Sequence, residues 1–376
     1  MKRILFITYW PFENEASNGI CKKIRAQAEA LSSFGMQVDL TYMKNGNMMV
    51  LADGKELQAG KARPVIGKML ASRQIKRYLK KSGTHYDGVY IRYALSDPWF
   101  LGLLRYLKKQ RARVLLEIPT YPYDGEFTPD LRGRLAAFLD RRCRKKLKGL
   151  ADRVVTFTED EEIFGIPTIR TVNGVDFSKV PLQYRQEPDG ALHLIAVAGL
   201  APWHGYDRLL TGMGEYYKNG GTREAVFHLV GDGSELPLYK KLVEEYGLER
   251  RVRFYGFLSG EPLSQVYNRA DIAVSSLGMH RIGLFKGSVL KSREYAARGI
   301  PMITSCKLDI FPEDWKYQLV VPGDDSPVAM ERVFAFGDAL QEERDAGVAV
   351  EKEIRERARD KIEMKNTFRE IAEEFQ

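Results

Sequence analysis

The chain has 376 residues, enough for two domains with separate cores, and its 44% hydrophobic and 29% charged content is that of an ordinary soluble globular protein. No apolar run approaches the roughly 20 residues that span a bilayer, and the opening Met1–Thr8 lacks the longer apolar core and cleavage site of a signal peptide. Cys21, Cys143 and Cys306 are odd in number and far apart, so neither a disulfide framework nor a zinc site follows, and a reducing cytoplasm is the expected setting.

The first half alternates strand and helix. Ile4–Thr8 reads as a strand, Gly19–Phe34 as a helix with Ile20, Ile24, Ala28 and Leu31 near one face, and Gln37–Met43 and Gly88–Arg92 as strands. A helix over Trp99–Lys109, a strand over Val114–Ile118, a basic helix around Leu131–Leu150 and a strand over Arg153–Phe157 follow. Asn173-Gly-Val-Asp176 is a turn signal and Gln183–Gly190 a polar linker, after which the alternation restarts at Leu192–Ala198. Tyr206–Tyr217, Leu236–Tyr246, Leu263–Ala270 and Ser288–Arg298 are helical, with Ala225–Val230, Val252–Tyr255, Ile272–Ser275 and Met302–Thr304 extended between them. Continuous apolar strands separated by amphipathic helices indicate α/β domains with parallel, doubly wound sheets. Two Rossmann-like domains facing across a cleft are expected, at 1–175 and 190–361, with the C-terminal helix 362–376 returning to the first.

Charge is unevenly spread. Residues 1–185 hold 33 Lys and Arg against 19 Asp and Glu, whereas the remainder holds 25 against 31, for a net of +8 overall. Arg73–Lys81 and Arg141–Lys148 fall on predicted helices with apolar residues between the charges, which suits an anionic membrane surface or a phosphorylated acceptor as well as plain solvation. No nucleic-acid recognition module accompanies the charge, so nucleic acid is not an expected partner. The five histidines show no helical metal spacing, and no metal or other cofactor is expected.

The run Gly283–Ser305 carries the most functional information. It reads as a loop, a helix opened by Gly287-Ser288, a stop at Gly299 and a buried strand. A helix start presents unpaired N–H groups and a positive dipole end to an anion, Lys291 would add a mobile cation, and Glu294 could reach a sugar hydroxyl. An ordinary surface helix with a Lys291–Glu294 pair is the plain alternative.

Together with Asn173-Gly-Val-Asp176, Leu229-Val-Gly-Asp-Gly233, Arg253-Phe-Tyr-Gly-Phe257, Tyr267–Ser276 and Glu294-Tyr-Ala-Ala-Arg-Gly-Ile-Pro301, this run resembles GT-B glycosyltransferases, most closely the family 4 retaining enzymes. The likeness covers nearly the whole chain, and Trp203–Leu210 with Lys291-Ser-Arg-Glu294 is similar to a subgroup associated with bacterial surface polysaccharide, capsule included. The resemblance implies a nucleotide-diphosphate-sugar donor held in the second domain and a saccharide or lipid-linked oligosaccharide acceptor. By motif position, Glu294 would hold the ribose, and Gly287, Ser288, Val289 and Leu290 the diphosphate. Gly256, Phe257 and Leu258 would lie by the base, Gly231 and Asp232 at the neighbouring strand end, and Gly19 in a first-domain loop near the acceptor. The pattern departs at Lys286, where the family's first motif glutamate should stand, and at Leu200 and His204, where it carries Arg and Lys. Lys286, Lys291 and Arg208 are the replacement cations on offer, and His204 would either contact phosphate or pack beside Trp203. In the first domain the run Glu117–Glu126 follows a buried strand and is expected to face the cleft. Glu117 and Asp124 are candidate catalytic carboxylates with Glu126 nearby, Tyr121 and Tyr123 candidate sugar-stacking surfaces, and Arg92 a phosphate ligand or a partner of Glu117. A sugar-nucleotide epimerase and a silent glycan- or partner-binding subunit are the other readings.

Overall fold

A computed structural model of the protein describes residues 1–13, 19–61, 67–128, 130–312 and 314–376. Cα packing divides them into two compact units, 1–172 with 364–376, and 173–363. The first unit holds a nine-stranded sheet. Its strands are β1 (Arg3–Pro11), β2 (Gln37–Lys44), β3 (Asn47–Ala52), β4 (Lys55–Lys61), β5 (Gly88–Arg92), β6 (Arg113–Ile118), β7 (Arg153–Thr156), β8 (Glu162–Ile163) and β9 (Ile166–Arg170), in the order β4-β3-β2-β1-β5-β6-β7-β9-β8. The segment from β2 through β1, β5, β6 and β7 to β9 is parallel, and its apolar strands are covered on both faces. Helix α1 (Gly19–Ser33) contributes Ile24 and Leu31 to one face, where Phe368, Ile371 and Phe375 of the C-terminal segment also pack against Phe6, Tyr90 and Leu115. Helices α2 (Gly67–Ser82) and α3 (Pro98–Lys109) cover the other through Ile75, Leu79, Phe100 and Leu104, and α4 (Leu131–Arg144) precedes β7. Gly88 is glycine because a Cβ there would meet the Phe375 ring at 2.3 Å.

The antiparallel extension β2–β3–β4 is absent from the sequence reading. Its turns are Asn45-Gly46 and Asp53-Gly54, all four residues at positive φ, the conformation that two-residue hairpins require.

The second unit holds a six-stranded parallel sheet of β10 (Leu192–Val197), β11 (Ala225–Val230), β12 (Val252–Gly256), β13 (Ile272–Val274), β15 (Met302–Thr304) and β17 (Gln318–Val320), ordered β12-β11-β10-β13-β15-β17. Between β13 and β15 the short strand β14 (Lys286–Gly287) pairs with β16 (Lys307–Leu308) outside that sheet. Helices α5 (Tyr206–Lys218), α6 (Leu236–Glu245), α7 (Gly260–Arg269) and α8 (Leu290–Arg298) connect the strands, and α9 (Met330–Asp345) and α10 (Val350–Ile362) follow them. The winding reverses beside β10, with β11 and β12 on one side and β13, β15 and β17 on the other. In such sheets ligands sit beyond the carboxyl ends of the strands at the reversal.

Candidate functional site

At that end of the second unit the strand-end loops interlock through their backbones. Ala198 N–H donates to Val230 O (3.0 Å), Leu200 N–H to Asp232 O (2.8 Å) and Gly231 N–H to Gly256 O (2.7 Å). Gly231 has φ +124°, and a Cβ on it would lie 1.8 Å from Ala198 O, so the neighbouring loop by itself requires glycine. Asp232 is exposed and its Oδ1 accepts from Gly233 N–H (2.7 Å). Past β12, Phe257 stands 60% exposed with Leu258 half-buried beside it.

Helix α8 begins at Leu290, two residues later than the sequence suggests, because Lys286 and Gly287 are drawn into the pairing with Lys307 and Leu308. Val289 is its N-cap, extended, and makes no side-chain cap hydrogen bond to the first turn. The N–H groups available to an anion therefore belong to Leu290 and the residues after it rather than to Ser288. Ser288 is instead a fastening point. Its Oγ accepts from Asn173 N–H (3.0 Å) and from the Arg293 guanidinium (2.6 Å), and its carbonyl accepts from Asn173 Nδ2 (2.7 Å). Arg293, 1% exposed, also donates to Asn173 O (3.0 Å) and pairs with Asp309. Arg293 and Asn173 stand 120 positions apart, and no local sequence signal marks them as a pair.

Lys291 is held in place, not mobile. Its Nζ donates to Tyr206 Oη (3.0 Å) at the start of α5, and burial pushes its pKa well below the ordinary lysine value. The Tyr206 ring stacks on His204, centroids 5.7 Å apart, and His204 in turn meets Trp203 edge-on. His204 is buried and its Nδ1 accepts from Ala201 N–H (3.0 Å), which leaves Nε2 to carry the proton. Burial, with Lys291 nearby, pushes its pKa down to about 3, so at neutral pH His204 offers a hydrogen-bond donor and no charge. Tyr295 Oη donates toward β13 while accepting from Val197 N–H (3.0 Å), and the Ser275 and Ser292 hydroxyls meet at 2.7 Å. These contacts fix the first turn of α8 against the ends of β10 and β13.

Glu294 pairs with Arg298 (3.3 Å), one turn along α8, and not with Lys291. Lys286 is exposed on its short strand. Arg208 is withdrawn as a diphosphate cation: it is 2% exposed and donates to the carbonyls of Leu277, Ser326 (2.8 Å) and Pro322 (2.9 Å).

In the first unit most acceptor-side expectations are corrected. Glu117 is fully buried, paired with Lys23 (3.3 Å) and Arg92, and accepts from Gln27 Nε2 (2.8 Å) and Tyr90 Oη (2.8 Å). Burial raises its pKa, but Lys23, Arg92 and these hydrogen bonds outweigh burial and hold it below the usual glutamate value. It is a structural carboxylate, and Arg92 is its partner rather than an open phosphate ligand. Tyr123 is buried with its hydroxyl donating to Asp140 (2.8 Å), so it offers no stacking surface. Tyr121 is half-buried, edge-on to Phe164. Asp124 is held by Arg141 (2.8 Å) and Arg144 (2.9 Å), whose hydrogen bonds depress its pKa. Gly19 starts α1, directly after residues 14–18, which lie outside the described set, as does the side chain of Glu126.

Comparison with known proteins accords with the second unit's geometry. Residues 183–313 match the family described as Glycosyl transferases group 1. Among solved structures the chain is similar to sucrose-phosphate synthase from Thermosynechococcus elongatus, at 19% identity and TM-score 0.66 over 99% of this chain and 96% of that one. It is also similar to HepE from Anabaena in complex with UDP (13% identity, TM-score 0.62, 99% of each chain). A third is WaaG, a glycosyltransferase involved in lipopolysaccharide biosynthesis (12% identity, TM-score 0.60, 99% and 98%). No curated protein matches the chain. Identity this low establishes the fold alone: the chain is an α/β protein of the GT-B class, and residues 183–313 are similar to the group 1 glycosyl transferase family.

Proposed function

We propose that the protein is a retaining glycosyltransferase that moves a sugar from a nucleotide-diphosphate donor to a saccharide on a lipid carrier, in bacterial surface-polysaccharide or capsule assembly at the cytoplasmic face of the membrane. The observation that carries the reading is the first turn of α8, to which the N-cap Val289 offers no side-chain bond, with Lys291 fastened beside it at the end of a doubly wound sheet. Departure of the nucleotide diphosphate is the step that develops negative charge. Amides from Leu290 onward are fixed before the reaction and stabilise that charge without reorganising, and donors of this kind contribute roughly 10²–10³-fold each. A diphosphate beside Lys291 favours its charged form against the burial that disfavours it, and Lys286 adds charge at the edge. His204, neutral, donates one hydrogen bond. Glu294, half-buried, exchanges Arg298 for the ribose hydroxyls, and Phe257 offers its exposed ring to the base. HepE as a UDP complex supports a uridine diphosphate donor first among candidates.

With Glu117 buried and Asp124 held by Arg141 and Arg144, no protein nucleophile is assigned. The acceptor hydroxyl attacks from the face the leaving group vacates, and the departing phosphate accepts its proton, so configuration is retained. The cations and amides supply the charge stabilisation, and the reading invokes no metal. The test is a screen of nucleotide sugars against lipid-linked saccharide extracts, with products read by mass spectrometry and anomeric configuration by NMR. Transfer from one donor with retention is the expected result. Saturable nucleotide binding without a transferred sugar would favour the epimerase, and no nucleotide binding the silent subunit.

A further inference from the structure

Helix α4 exposes three large apolar side chains, Leu131 (84%), Leu135 (60%) and Phe138 (61%). At about 100° per residue they fall within an arc of about 60° on one face. Arg142 and Lys145 continue that face, Arg134 and Arg141 flank one side of it, Arg132 flanks the other, and all are exposed. The opposite face is pinned. Asp140, the helix's one acidic residue, is fully buried and accepts from Tyr93 Oη (2.6 Å), Ser96 N–H (2.6 Å) and Tyr123 Oη (2.8 Å), with Arg144 at 3.3 Å. Turning the helix to bury Phe138 would carry Asp140 out of these bonds and leave the partners of a buried carboxylate unpaired. The apolar stripe is therefore held outward by the fold.

Its charge selects the occupant. Asp140 is buried, the N-cap Asp130 is engaged by Gly133 N–H (2.8 Å), and the exposed surround of the stripe on the helix is cationic. An apolar stripe rimmed by arginine and lysine complements a lipid surface, with acyl chains below and anionic headgroups at the rim. We propose that α4 is the membrane-docking element, with Leu131, Leu135 and Phe138 entering the headgroup layer of an anionic bilayer and Arg132, Arg134, Arg142 and Lys145 contacting its phosphates. The proposal deepens the membrane part of the reading above and rests on that part alone, independent of sugar transfer.

The test is flotation of the full chain with vesicles of phosphatidylglycerol and phosphatidylcholine, against vesicles of phosphatidylcholine alone. The protein is expected to float with the anionic vesicles at low salt, to release as salt rises, and to leave neutral vesicles largely bare. Replacing Leu131, Leu135 and Phe138 together by Ser should weaken binding at least about tenfold, since partial burial of each side chain is lost. Replacing Arg132, Arg142 and Lys145 by Ser should weaken it about fivefold per charge. Phe138→Trp, which keeps the helix's apolar face, should be quenched by brominated lipid, and this variant decides the matter if the triple-serine chain fails to fold. Wild-type protein that ignores anionic vesicles, a folded triple-serine variant that binds undiminished, or an unquenched Phe138→Trp would each overturn the proposal. So would a dimer that the triple-serine variant dissolves, because a second copy would then occupy the stripe. Nucleotide binding measured on the same samples keeps the outcomes apart: losing it with flotation intact defeats the donor site and not the docking helix.

Discussion

Replacing Lys291 with Met tests the charge chemistry of the α8 turn. The Lys291 side chain donates to Tyr206 Oη at 3.0 Å, and burial disfavours its charge in the free protein. A diphosphate beside it restores the charge, so above the free-state pKa binding must take up one proton. The sign follows from linkage: affinity falls as pH rises through that window, by up to about tenfold, or about 1.4 kcal/mol, per pH unit. Calorimetric titration with UDP, in buffers of differing ionisation enthalpy from about pH 7 to about pH 10, reads both the slope and the proton count. Wild type should show proton uptake in the window between the free and bound pKa values of Lys291, and Lys291→Met none from this source, because the ligand's own titration is common to both. Turnover in the variant should fall about 10²–10³-fold. Stability should move the other way. The folded-state pKa is depressed, so the unfolded chain binds more protons, stability rises with pH up to the ordinary lysine range, and Lys291→Met should melt higher than wild type at neutral pH. Equal proton uptake in the two proteins, or a lower-melting variant with unchanged turnover, would refute the reasoning.

Glu117→Gln removes the buried negative charge that pairs with Arg92 and Lys23 and should cost about 3–5 kcal/mol by urea unfolding, with nucleotide affinity unchanged. Because the folded pKa of Glu117 is depressed, its contribution is present above the ordinary glutamate pKa and lost as pH falls through the lowered value, so the gap between wild type and variant should narrow in acid. Gly231→Ala places a Cβ against Ala198 O at positive φ and should destabilise the second unit by at least about 1–3 kcal/mol, read by thermal melting. His204 should show no NMR titration between about pH 5 and about pH 8, because its pKa lies near 3, and a midpoint in that interval would contradict its burial. Glu294→Ala should weaken UDP binding and, because it takes a carboxylate from the buried Arg298, lower the melting temperature by a few degrees, about the shift of 1 kcal/mol in a chain this size.

The parallel sheets were legible because their strands are continuous apolar runs and their helices amphipathic, and the restart at Leu192 stood out after a polar linker. The hairpins β2–β3–β4 are signalled by the two-residue turns Asn45-Gly46 and Asp53-Gly54, whose residues all take positive φ. The start of α8 was misplaced because the pairing of Lys286 with Lys307 is non-local and overrides the helix signal at Gly287-Ser288. Burial of Glu117 was hidden for a similar reason. Its cations lie 94 and 25 positions away, and a carboxylate at a strand end looks the same in sequence whether it faces solvent or two buried cations. The reach of Lys291 to Tyr206 depends on α5 and α8 meeting at the sheet end, which no local pattern encodes.

Amide hydrogen exchange with and without UDP bears most directly on the donor site. Protection is expected to concentrate in peptides spanning 229–234 and 286–294, the β11 strand-end loop and the α8 turn. Exchange unchanged there, or protection confined to the cavity of about 320 Å³ lined by Asp189, His193 and His228 at the opposite ends of the strands, would contradict it.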